Sequence, residues 1–93
     1  METGLYNNDF SRAFNRLLEK ANISCYQISQ YSYVDQGYLS CLRKGTKNPS
    51  PETVVKISLA LVHFSAKITV SDIEHLFNSV GRSVRINRVL GLS

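Results

Sequence analysis

Residues Ile23 to Gly45 read ISCYQISQYSYVDQGYLSCLRKG, and this stretch decides how the chain folds. It holds four of the five tyrosines, both cysteines, one internal glycine and a basic end. Its capping residues divide it in two. Ser24 with Gln27 three positions on is a capping-box pattern, and Ile23 and Ile28 are spaced to close a hydrophobic staple over it. A short helix is therefore expected from Ser24 to Tyr31 or Ser32. Asp35 is a second strong N-cap, and Val34 with Leu39 repeats the staple spacing. Gly45 then ends the second helix, with Lys44 near its negative end. Two short capped helices joined by about three residues match a helix-turn-helix arrangement.

The outer face of the second helix has the composition that such an arrangement needs. At ~100° per residue, Leu39 and Leu42 point one way, flanked by Tyr38 and Arg43. Gln36, Gly37, Ser40, Cys41 and Lys44 fill a contiguous arc of roughly 140° opposite. That arc has no acid and no large apolar residue, and it ends in a cation, as a helix entering a major groove requires. Gln36 is its one residue able to pair bidentately with adenine. Gly37 removes bulk, while Ser40 and Cys41 can make light contacts with base edges.

Three further helices are expected around this pair, making five. Phe10, Ala13, Phe14, Leu17, Leu18 and Ala21 recur at helical spacing between Asp9 and Ala21. Arg12, Arg16 and Lys20 form a basic row on another face, read as solvated surface. After the turn cluster GTKNPSP, Ser50 caps a fourth helix, with Pro51 at its first position and Glu52 in its first turn. Val54, Ile57, Ser58 and Leu61 line one side of that helix, and Val55, Leu59 and Val62 another. An apolar helix of that kind is expected to be central. Ser71 and Glu74 read as a capping box for a fifth helix, with Ile73, Leu76, Phe77 and Val80 inward and Gly81 after it. Residues 1–81 thus form one all-α domain, and residues 82–93 form a tail in which strand-like and helix-like spacings coexist.

Composition excludes several classes of protein. The chain has 93 residues, enough for one small domain, and 43% are hydrophobic, too many for a disordered chain. No run approaches a membrane span and the N-terminus lacks a signal-peptide layout, so the expected location is cytoplasmic. Cys25 and Cys41 have neither zinc-ligand spacing nor an extracellular context, and they read as reduced thiols. A helix N-terminus could nonetheless lower the thiol pKa of Cys25. No cofactor motif appears, and His63 and His75 have no catalytic partner at a useful spacing, so no enzyme activity is expected. His63 reads as a partly buried helix end and His75 as surface. The net charge is +4, and of the eleven lysines and arginines only Arg12, Arg16 and Lys20 precede Arg43. That distribution leans towards an anionic partner.

The run from Ile23 to Leu61 resembles the lambda-repressor-like, XRE-type (Cro/repressor) helix-turn-helix family, with no insertion or deletion. The matching positions are Ile23, Ile28, Val34, Tyr38, Leu39, Ser40, Leu42, Gly45, Asn48, Pro49, Ser50, Glu52, Ile57, Ala60 and Leu61. The G-x-x-N-P-S element from Gly45 to Ser50 is the most specific of them. The resemblance implies a compact five-helix domain acting as a transcriptional regulator, a repressor by preference, on double-stranded DNA and as a possible homodimer. It implies base reading by Gln36, Gly37, Ser40 and Cys41. It also implies phosphate contacts from Ser24 and Cys25, whose helix N-terminus favours anions, and from Tyr26, Tyr38, Arg43, Lys44, Lys47 and Asn48. Four positions depart from the family pattern. Cys25 stands where a phosphate-touching Gln is common, and Tyr33 replaces the turn glycine. Leu18 and Arg43 replace an Arg and a Glu that often pair, which leaves Arg43 as extra positive charge near the groove. The rival reading is a protein-interaction adaptor or antitoxin-like module on the same fold, favoured by the tyrosines.

Overall fold

The computed structural model describes residues 8–80, which form five α-helices and no strand. They are α1 (Asp9–Ala21), α2 (Cys25–Ser32), α3 (Gln36–Lys44), α4 (Pro51–Phe64) and α5 (Val70–Asn78). Gly81 and the tail 82–93 lie outside the described residues. Within the described residues no helix is long and apolar enough to cross a membrane.

Helix ends fall where side chains satisfy orphan backbone groups. Asn8 caps α1 by accepting from the Ser11 N–H at 2.7 Å. Ser24 and Gln27 form the expected reciprocal capping box on α2. Asp35 accepts from the Tyr38 N–H at 3.0 Å to start α3. Ser50 caps α4 through the Thr53 N–H, with Pro51 in the first turn. The fifth helix departs from expectation. Its capping box is Thr69 with Asp72 rather than Ser71 with Glu74, so α5 begins two residues earlier and Ser71 lies inside it. Both S/T-x-x-D/E spacings occur in this stretch; the Thr69 register buries Asp72 and lets it meet a partner on α1.

The core is one cluster fed by all five helices. Phe10, Phe14 and Leu17 of α1, Ile28 of α2, Leu39 and Leu42 of α3, Val54, Ile57 and Leu61 of α4 and Leu76 of α5 are fully buried. Helix α1 packs against α3, α4 and α5, while α2 packs against α3 and α4. The expectation that α4 is the central helix, apolar most of the way round, is not met. Only its Val54–Ile57–Leu61 side is buried; Leu59 and Val62 face solvent at 55% and 47% exposure, and Val55 is half-buried. In a domain this thin, a helix can be covered on one side only, and α1 shares the central position.

The basic row of α1 is exposed, as expected, but two of its members are engaged. Arg12 pairs with Asp9 one turn earlier. Lys20 reaches Asp72 of α5 at 2.6 Å. The Lys20 ammonium, followed by the Thr69 N–H, holds the Asp72 carboxyl down at about 2.

Candidate nucleic-acid interface

Helices α2 and α3 pack against each other through the three-residue turn Tyr33–Val34–Asp35. The turn is made by Tyr33, which adopts the left-handed conformation at φ 63°, ψ 16° and donates its N–H to the Ser29 carbonyl at 2.9 Å. A non-glycine residue there carries a steric cost. Its ring does not offset that cost by packing, since Tyr33 is 91% exposed. The left-handed position of this turn is therefore held by a tyrosine rather than a glycine.

With Leu39 and Leu42 wholly buried, the opposite face of α3 is set outward. Gln36, Gly37 and Lys44 are exposed, and Ser40 and Cys41 are half-exposed along the same face. The four base-reading candidates thus form a continuous surface. Asp35 is the one acid between Ile23 and Ser50, and its carboxylate is turned into the α3 cap. At the far end, the Gly45 N–H donates to the Cys41 and Leu42 carbonyls, and Thr46 returns to Cys41 O through both its N–H and its hydroxyl. Arg43, Lys44 and Lys47 extend from that end into solvent.

The phosphate-contact candidates divide into two groups. Ser24 and Tyr26 are exposed at the start of α2, and Cys25 is half-buried there. Tyr38 is half-buried, leans on the core, and has the Lys47 ammonium 5.8 Å from its ring centre. Asn48 is exposed, whereas its neighbour Pro49 is buried and anchors the turn into α4.

Three expectations require correction. Arg43 is not left free. Its Nε donates to Asn15 Oδ1 at 2.6 Å. Cys25 is not a lowered-pKa thiol either: burial pushes it up, and the pull of Arg43 only partly opposes this. Both cysteines are free thiols, as read from their spacing. His63 is exposed rather than partly buried, with its ring stacked 4.2 Å from Tyr31 and edge-on to Phe64. Tyr31, 42% exposed, completes this surface aromatic group.

Two residues outside the expected set join α1 to the last turn of α3. Asn8 Nδ2 donates to Gly45 O at 3.1 Å, and Asn15 Nδ2 to Arg43 O at 3.0 Å. Asn8 carried a legible signal as a cap-type residue before Asp9. Asn15 carried only its place at the boundary between the apolar stripe and the basic row. No protein-family model, curated protein or solved structure compared with this chain matches it.

Proposed function

We propose that this chain is a lambda-repressor-like helix-turn-helix protein that binds duplex DNA sequence-specifically as a transcriptional regulator, a repressor by preference. The observation that carries the reading is the outer face of α3. Gln36, Gly37, Ser40 and Cys41 lie outward on one side of a helix whose other side is buried, and Asp35, the one acid between Ile23 and Ser50, is used in the cap. A helix of this width, polar and free of acid, fits the major groove, and Arg43, Lys44 and Lys47 at its end supply cations for the backbone. Gln36 reads adenine in this proposal. Ser24, Cys25, Tyr26, Tyr38 and Asn48 contact phosphates together with those three cations. The two-fold operators common to such folds make a homodimer the expected binding unit.

In-vitro selection from a random duplex library should return a motif. On that motif, Gln36→Ala should weaken binding by ~1–3 kcal/mol and relax one base position. An equal loss on every sequence would show that Gln36 reads no base. Binding should also fall steeply with salt as counterions are released.

A second reading, a protein-interaction module on the same fold, is favoured by the surface aromatics. Tyr26, Tyr31, Tyr33, Leu59, Val62 and Phe64 are all exposed, and tyrosine is enriched at protein interfaces. A flat salt response and no enriched motif would select this reading instead.

A further inference from the structure

The contact between Asn15 and Arg43 joins α1 to α3 through more than one hydrogen bond. Asn15 uses its whole amide. Nδ2 donates to Ser11 O at 2.7 Å and to Arg43 O at 3.0 Å, while Oδ1 accepts the Arg43 Nε–H at 2.6 Å. One side chain of α1 therefore holds both the backbone and the side chain of the same residue near the end of α3. Asn8 repeats the backbone half two residues on, at Gly45 O. These carbonyls belong to the turn where a helix has no further N–H of its own to offer.

An exposed arginine on a helix end ordinarily samples many rotamers and loses that freedom only on binding. Arg43 differs, because its Nε is committed to Asn15 of α1. The guanidinium is a rigid planar fork of five donors. Holding Nε restrains that plane, and Arg43 as a whole is exposed.

We propose that Asn15 is a positioning residue for DNA binding: it holds the Arg43 guanidinium in one orientation at the end of α3, set to take a duplex phosphate. The proposal rests on the DNA-binding reading above. In it, Asn15 touches no DNA and acts through Arg43, and the entropy of ordering Arg43 is met during folding rather than at the duplex. Because a phosphate carries no sequence information, the effect is the same on all sequences.

The test is a double-mutant cycle of Asn15→Ala and Arg43→Ala, read as duplex affinity against salt on specific and random DNA, well below the melting temperatures of all four proteins. Arg43→Ala should reduce the slope of log affinity against log salt by about one. Asn15→Ala should weaken binding to both DNAs alike, about three- to tenfold, an effect the size of one ordered charged contact. In the Arg43→Ala background, Asn15→Ala should have almost no further effect. The Arg43 Nε–H resonance, slow to exchange in the wild type, should exchange fast in Asn15→Ala. Equal effects of Asn15→Ala in both backgrounds would mean that Asn15 only supports the fold, and this would overturn the proposal while leaving the DNA reading intact. A wild type with no salt-dependent duplex binding would remove the DNA reading and this role together.

Discussion

Gly37 shows two opposed effects meeting at one residue. A Cβ added there would lie 2.9 Å from Asp35 Oδ2, the oxygen that caps α3. Alanine in place of glycine favours a helix by about 1 kcal/mol, and loss of an Asp cap costs about the same. Gly37→Ala should therefore change unfolding free energy by less than about 0.5 kcal/mol in the wild type. In an Asp35→Ala background, with no cap left to displace, it should stabilise by about 1 kcal/mol. Urea titrations of the four proteins measure this. An equal effect in both backgrounds would mean that the carboxylate moves aside without loss. Gly37 thus has a structural reason to be glycine independent of any base contact. Tyr33 is the reverse case, an L-residue in left-handed backbone with an exposed ring, whose strain the surrounding α2–α3 packing sustains.

At the scale of the element, α4 separates composition from burial. Its apolar residues occupy two faces, but only one meets other helices. Leu61→Ala should cost about 2–5 kcal/mol through lost burial and a residual cavity. Leu59→Ala should stay within about 0.5 kcal/mol. Ser58 adds a finer case on the buried side, where its hydroxyl has no hydrogen-bond partner among the described residues. Ser58→Ala removes a desolvated, unsatisfied group and should be neutral or stabilising by up to about 1 kcal/mol. Thermal and urea unfolding of the three variants decide the matter; a Leu59→Ala loss comparable with that of Leu61→Ala would mean that a partner covers the second face.

At the scale of the whole molecule, the Lys20–Asp72 pair joins α1 to α5, and its effect depends on pH. The Asp72 carboxyl is held at about 2 against an ordinary 3.8, chiefly by the Lys20 ammonium and then by the Thr69 N–H. A depressed carboxylate binds fewer protons folded than unfolded, so its contribution is complete above the unfolded value and vanishes as pH falls through the folded one. The wild type should lose stability between about pH 4 and pH 2, and Asp72→Asn should show a flatter curve over that window. Identical slopes for the two proteins would place the acid sensitivity elsewhere. The same pair explains why α5 uses the Thr69 capping box: in that register Asp72 both caps the helix and meets Lys20.

The sequence by itself determined the local decisions. Ser24, Asp35 and Ser50 mark helix starts, Gly45 an end, and the leucines of α3 its buried side; each acts over one or two turns, where spacing fixes geometry. From these came the helix count in residues 8–80, the α2–α3 pair and the outward face of α3. The tertiary structure decided which of several local options was used. Thr69 was chosen over Ser71 because Asp72 finds Lys20 across 52 residues. One face of α4 was buried and the other left in water because the small domain supplies neighbours for only one. Arg43 became bound rather than free because Asn15, 28 residues away, lies opposite it. Contacts between residues so far apart leave no periodicity in the chain, so only folding brings them together.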